Sequence, residues 1–205
     1  MGQCRVCGIG PAKLCSGCGQ AYYCGVKCQK SERKVHRDQC YPVRVEQFED
    51  RARGMVATRD IKQGQVVMQD YAILTADREA LTEPDNWASL AAAVAKLARV
   101  DQDKFYGLQP RQGLGLVGGE LLTVQIFLNN GIALAAPGIQ SRLGVFPCLS
   151  MINHSCSPNA KWSQVKGNVE MKEVRAVTMI AKGEEITCSY FGDAQEMAFA
   201  SRIDR

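Results

Sequence analysis

Within its first 40 residues the chain sets out Cys4, Cys7, Cys15, Cys18, Cys24, Cys28, His36 and Cys40. The spacing is C-x2-C-x7-C-x2-C-x5-C-x3-C-x7-H-x3-C. A zinc ion takes four thiolate or imidazole ligands in a tetrahedron, and two residues between cysteines let one tight turn offer both sulfurs to the same ion. The eight ligands fill two such sites with none left over. Cys24 and Cys28 stand four apart, as do His36 and Cys40, so each pair is expected one helical turn apart. Gly8, Gly10, Gly17 and Gly19 flank the ligand pairs and suit turns. A segment of ~40 residues buries too little apolar surface to fold unaided, so the metal has to supply folding energy. The spacing predicts a small N-terminal double-zinc module and leaves open which four residues share an ion.

The full 205 residues allow one ordinary domain beyond that module. No apolar run reaches the ~18 residues a membrane helix needs. The start, MGQCRVCGIG, has no sustained apolar core of a secretory signal. Val6 stands where a myristoylation motif wants Ser or Thr. Without an export signal a reducing compartment is expected, nucleus or cytoplasm, where metal ligation prevails over disulfides. Charge is uneven. Residues 1–44 carry eight bases (Arg5, Lys13, Lys27, Lys30, Arg33, Lys34, Arg37, Arg44) against Glu32 and Asp38, a formal +6. Two zinc ions held by seven thiolates lower that to +3. The surplus is either a solvated surface or a patch for an acidic partner. Its basic residues lack interleaved aromatics, so direct nucleic-acid binding is not expected.

After Pro42 the cysteines thin out and the pattern changes. Residues 44–51 read as a short joining segment. Strands are predicted over 55–58, 65–71, 162–165, 168–177 and 185–190, with turns at Lys62–Gly64, Lys166–Asn168 and Ala181–Gly183. Apolar residues at helical spacing and a high alanine content predict one helix over 86–100, and a second is predicted over 120–129. Residues 107–119 carry five glycines but no phosphate-binding signature, and read as a loop. The fold class expected is mainly β with a helical insert, plus the small zinc module. Cys148 and Cys188 read as small buried residues.

The chemical signal lies in GVFPCLSMINHSCSPNA. Taken alone, Asn153 to Asn159 is a polar loop with Asx turns at Asn153 and Asn159. His154 is then a structural histidine, or half of a Cys/His pair with Cys156 that has no third group to orient it.

Two resemblances bear on these segments. Tyr23, Cys24, Cys28, Gln29, His36 and Cys40 give the YC-x3-CQ and H-x3-C signature, which resembles a MYND finger; a RING finger has its histidine in mid-series. The resemblance implies interleaved ligation, Cys4, Cys7, Cys24 and Cys28 on one ion and Cys15, Cys18, His36 and Cys40 on the other. It also implies a proline-rich protein partner. Arg33 departs from the family, which usually has Trp there. The blocks RARGMVATRDIKQGQ, NHSCSPN and IAKGEEITCSYFGD, in that order, resemble the SET domain of lysine methyltransferases, and NNGIAL resembles a segment of the SET-and-MYND subgroup. The fold implied is the β-clip-like SET fold. The domain organisation expected is a MYND-type module over 1–44, a SET domain over 45–193, and a shortened C-terminal segment over 194–205.

The SET resemblance implies transfer of a methyl group from S-adenosylmethionine to a lysine of a protein substrate, histone or non-histone, through a narrow channel where catalysis is largely alignment. Tyr190 matches the tyrosine whose hydroxyl lines that channel. Asn153 and His154 match the pair that binds the cofactor's two ends. Arg51, Arg53 and Gly54 fall on the turn that wraps its methionine and ribose portions, and Asn130 matches a further cofactor contact. Three departures stand out. Ala52 replaces the family's first turn glycine. The MYND-like segment precedes the SET opening, where the animal enzymes insert it inside the SET domain. The chain ends at SRIDR, before the family's post-SET cysteines, which would pair with the cysteine matched by Cys156 and add a second channel aromatic. The alternative function is a SET/MYND adaptor that recruits protein partners without catalysis.

Overall fold

The computed structural model describes residues 2–15, 18, 21–37, 40–49, 53–109, 119–134 and 142–190, with the side chain of Arg37 left out. Arg51, Ala52 and the glycines between 110 and 118 lie outside the described residues. The chain divides into two compact units. The first holds Met1–Met68, Ile152–Trp162 and Val174–Arg205; the second holds Gln69–Met151 and Ser163–Glu173.

In the first unit, β1 (Lys13–Leu14) and β2 (Tyr22–Tyr23) pair antiparallel, followed by the short helices α1 (Val26–Ser31) and α2 (Arg33–Arg37). Around them bury Cys4, Cys15, Cys18, Ala21 and Tyr23, a core made largely of ligand residues, as expected where metal takes the place of apolar packing. The same unit holds a four-stranded sheet in the order β3 (Val43–Gln47), β4 (Arg53–Ala57), β12 (Glu185–Cys188), β9 (Asn153–His154). β4 lies inside the sheet, which explains why Gly54 through Ala57 are all buried rather than alternating. The joining segment predicted over 44–51 is corrected here: Val43 to Gln47 pair in register with Ala57 to Arg53. VRVEQ carries a single buried residue, Val43, so an edge strand leaves little apolar signal.

A three-stranded sheet has the order β10 (Ala160–Val165), β11 (Asn168–Ala176), β5 (Val66–Tyr71). The predicted turns at Lys62–Gly64, Lys166–Asn168 and Ala181–Gly183 are present, and Gly64, Gly167 and Gly183 take positive φ of 79°, 82° and 84°. A side chain there would strain the backbone.

In the second unit, β6 (Leu74–Asp77), β8 (Arg142–Val145) and β7 (Gly131–Ala133) form an antiparallel sheet, in the order β6-β8-β7. Leu74, Leu81, Leu90, Val94, Phe105, Val124, Ile126, Phe127 and Val145 make its core. The single helix predicted over 86–100 is corrected to two, α3 (Trp87–Ala95) and α4 (Arg99–Tyr106), while α5 (Glu120–Asn130) forms where expected. Ala98 turns extended, with ψ of 147°, and Gln102 Nε2 donates to the carbonyls of Ala95 (3.1 Å) and Leu97 (2.8 Å). A side chain from the second helix thus satisfies carbonyls that the break releases. Cys148, expected buried, is exposed in the turn after Pro147, whereas Cys188 is buried. No helix among the described residues is long and apolar enough to cross a membrane.

Candidate active site and metal centres

The eight ligand residues fall into two groups. Cys4, Cys7, Cys24 and Cys28 bring their sulfurs within 4.8 Å of one another, and so do the ligand atoms of Cys15, Cys18, His36 and Cys40. The grouping is interleaved along the chain. Cys7–Cys24, Cys24–Cys28 and Cys28–Cys7 lie at 3.6, 3.5 and 3.8 Å. In the other group Cys15–Cys40 is 3.8 Å, and His36 Nε2 lies 3.4 Å from Cys15 and 3.7 Å from Cys18. A tetrahedron with Zn–S bonds of about 2.3 Å has S···S edges of about 3.8 Å, so these separations are the edges of two zinc sites.

Thiols this crowded resist losing their protons together. Cys28 is pushed up to about 12, first by its contact with Cys24 and then by burial. Cys40 is pushed up to about 12 by burial and by Cys15. Cys4 is drawn down to about 6, chiefly by the backbone N–H of Cys24. A dication is the chemistry that lets all of them ionise at once.

Cys24 is not one helical turn from Cys28 as predicted, because α1 starts only at Val26 after the extended Gly25. A turn entering the helix brings the sulfurs together instead. Cys40 likewise lies beyond α2, which ends at Arg37. Gln29 Nε2 reaches Cys15 Sγ at 3.7 Å, and the Tyr23 ring meets the His36 imidazole edge-on at 5.6 Å. Both contacts fall on ligand side chains, Cys15 and His36, from residues outside the ligand set.

The second candidate site lies in the four-stranded sheet. β9 runs parallel to β12, with Asn153 opposite Thr187 and His154 opposite Cys188. β12 is antiparallel to β4, with Ile186 opposite Met55. That ladder brings residues about a hundred positions apart together. Asn153 Nδ2 donates to the Arg53 carbonyl (3.2 Å) and to Glu185 Oε1 (2.7 Å). Both partners are pure acceptors, which settles the amide orientation. Its two N–H groups are spent inside the protein, and among the described residues nothing donates to Oδ1. Gly54 makes room for this arrangement: a Cβ there would meet Glu185 Oε1 at 2.5 Å, Phe48 at 2.6 Å and Asn153 Nδ2 at 2.7 Å.

Tyr190 is held from both ends. Its N–H donates to His154 Nδ1 (3.1 Å) and its hydroxyl donates to the Ile152 carbonyl (2.9 Å), with the two rings 5.3 Å apart. Nδ1 therefore carries no proton, and Nε2, 3.4 Å from Cys156 Sγ, is the donor of the neutral ring. His154 thus positions Tyr190. The Asx turns predicted at Asn153 and Asn159 are corrected. Asn153 lies in a strand, and Asn159 clasps β12, accepting from the Thr187 N–H (2.9 Å) and donating to the Glu185 carbonyl (2.8 Å) and Glu184 Oε1 (2.9 Å). Ser155 makes the local turn, its Oγ accepting from the Ser157 N–H at 3.1 Å.

Arg53, Gly54, Asn153, His154 and Tyr190 thus gather in the first unit. Arg51 lies outside the described residues. Asn130 belongs to the second unit, where it ends α5 and donates to the carbonyls of Gln109 and Ile126, both at 2.8 Å. Sequence reasoning missed Glu185. Its signal was the second acid of the GEEI block, but only the strand register shows that it faces Asn153.

The family model for the SET domain matches residues 52–191, and that for the MYND finger matches residues 4–40. The chain belongs to the SET domain family and carries a MYND finger ahead of its SET domain. It is similar to the histone-lysine N-methyltransferase ASHR1 of Arabidopsis thaliana, 30% identical over 89% of this chain and 39% of that one. It is also similar to two proteins of Homo sapiens: N-lysine methyltransferase SMYD2, 30% identical over 86% of this chain and 41% of that one, and histone-lysine N-methyltransferase SMYD1, 27% identical over 91% and 41%. The chain spans about two fifths of the length of these relatives.

Proposed function

We propose that the chain carries the cofactor-binding and catalytic centre of an S-adenosylmethionine-dependent protein-lysine N-methyltransferase, with residues 1–44 as its MYND-type interaction module and 45–193 as its SET domain. The observation that carries this reading is the pairing of β9 with β12, which sets Asn153 beside Glu185 and locks Tyr190 onto His154 and Ile152. The groups offered fit a cationic ligand: the Asn153 Oδ1 acceptor, with the Glu185 carboxylate behind it. Bound S-adenosylmethionine supplies the methyl group on a sulfonium centre.

Asn153 Oδ1 would accept a hydrogen bond from an amino or ammonium group of the cofactor. Gly54 lets the backbone come close without displacing Asn153. Arg51 and Arg53 take the anionic and hydroxyl parts of the ligand. The Tyr190 hydroxyl donates its hydrogen bond to the Ile152 carbonyl, so its lone pairs would be free to accept from the lysine amine or the polarised methyl group. Catalysis is then alignment plus acceptor placement. The lysine reaches the site neutral, a state favoured when its ammonium leaves water beside another cation. The substrate is a protein lysine, histone or non-histone. The N-terminal module recruits a protein, for which the family resemblance implies a proline-rich segment. Zinc sites built from reduced thiols support a reducing compartment, nucleus or cytoplasm.

Calorimetric titration with S-adenosylmethionine tests the reading. Protein holding two zinc ions is expected to bind in the micromolar range and the Asn153→Ala variant to lose at least ~10-fold, the weight of a hydrogen bond to a charged group. Tyr190→Phe should bind normally and turn over slowly. No binding by the zinc-loaded chain would leave the adaptor reading in its place.

A further inference from the structure

The N-terminal module carries a groove of about 340 Å³. The exposed Val26, Lys30 and Arg33 line its mouth with the half-buried Gln29, and its floor is three ligands of the second metal cluster, the buried Cys15 and His36 and the half-buried Cys40. Lys27 and Lys34 are also exposed on the two short helices. Between residues 21 and 37 the only acid is Glu32, and it is already engaged. Arg5 Nε holds its Oε1 at 2.9 Å and the Tyr23 hydroxyl donates to its Oε2 at 2.6 Å. Lys27, Lys30, Arg33 and Lys34 therefore form a basic surface with no described carboxylate left on the same helices to offset it. At the groove Val26 is 63% exposed, an apolar spot inside that basic rim.

Proline-rich segments dock on grooves lined by aromatic rings. Arg33 stands where a tryptophan is usual, and the buried His36 imidazole is the only ring among the lining residues. A guanidinium with a neighbouring ammonium recognises carboxylates, which arginine binds through two parallel N–H···O bonds. We propose that this groove takes an acidic peptide segment of a partner protein, carboxylates meeting Lys30 and Arg33 and one apolar side chain lying against Val26. The proposal rests on the reading of residues 1–44 as a protein-interaction module and names the chemistry of its partner.

The test uses the full chain loaded with zinc, titrated with three fluorescent probes. One is an acidic peptide with a single leucine flanked by glutamates, the second an uncharged proline-rich peptide of the same length, the third a single-stranded oligonucleotide. The acidic peptide is expected to bind most tightly, to weaken as salt rises, and to lose ~10-fold or more with Arg33→Glu. Arg33→Trp should move the preference toward the proline-rich peptide. Each variant is read only if mass spectrometry finds two zinc ions; Lys30→Gln, a milder change, should give a smaller loss of the same sign. Equal affinity of wild type and Arg33→Glu for the acidic peptide overturns the proposal, as does tighter binding of the oligonucleotide. Binding of the proline-rich peptide alone overturns the acidic assignment and keeps the interaction module. Binding of none of the probes removes both.

Discussion

At Gly54 a single added methyl group would lie 2.5 Å from a carboxylate oxygen and 2.7 Å from an amide nitrogen, and those two atoms are themselves hydrogen-bonded. Gly54→Ala is therefore expected to displace Asn153 and abolish S-adenosylmethionine binding in calorimetry while the two zinc ions stay bound. In the proposed site Glu185 would act on the ligand only through Asn153, from whose Nδ2 it accepts. If its task is to accept from Nδ2, Glu185→Gln keeps binding within a few fold and Glu185→Ala loses ~10-fold; equal losses in both would mean that the negative charge itself matters. Asp70 is a buried carboxylate whose Oδ2 accepts from the N–H groups of Cys148 (2.7 Å) and Leu149 (2.8 Å). Burial pushes it up to about 6 against the pull of those donors. A carboxyl whose folded value lies above its ordinary 3.8 stabilises the fold while protonated in both states, and that stability is lost as pH rises from about 4 to about 6. Urea titrations should show wild type losing ~3 kcal/mol across that window relative to Asp70→Asn. Parallel curves for the two proteins would refute it.

Among the elements, the break between α3 and α4 shows where periodicity misleads. Residues 86–100 keep apolar spacing across the break, because Leu90 and Val94 before it bury in one core and Leu97 within it packs against the same core. Gln102, folding back to cap the released carbonyls, is a contact that no local pattern announces. Gln102→Ala should cost about 1 kcal/mol in chemical denaturation, the usual worth of such hydrogen bonds. Phe105→Ala, at a fully buried position, should cost ~3–5 kcal/mol. β3 was missed for the opposite reason: VRVEQ alternates over only four residues, and a single one of them, Val43, buries. The turns at Gly64, Gly167 and Gly183 were legible, because a positive φ selects glycine locally.

Across the whole molecule, the two zinc clusters and the sheet that builds the candidate active site draw on different sources of stability. In the zinc-loaded protein Cys156, which is exposed, is the thiol expected to react promptly with a disulfide reagent; Cys148 should react more slowly, since burial and Asp70 push its thiol up to about 11, and Cys188 stays buried. A strong chelator should expose the seven ligand cysteines between Cys4 and Cys40 and make that segment sensitive to protease, since metal supplies its folding energy. Unchanged thiol reactivity after chelation would count against two zinc sites. Ligand identity and count were written in the sequence, because thiolates and imidazole in paired spacing have one dominant use in a reducing compartment. So were the β-rich class and the blocks around Asn153 and Tyr190. Which face Asn153 presents, and that Glu185 holds it, were decided only by the tertiary structure. Those relations join residues up to a hundred positions apart through strand register, and register is set by burial and pairing across the sheet rather than by any local preference of the chain.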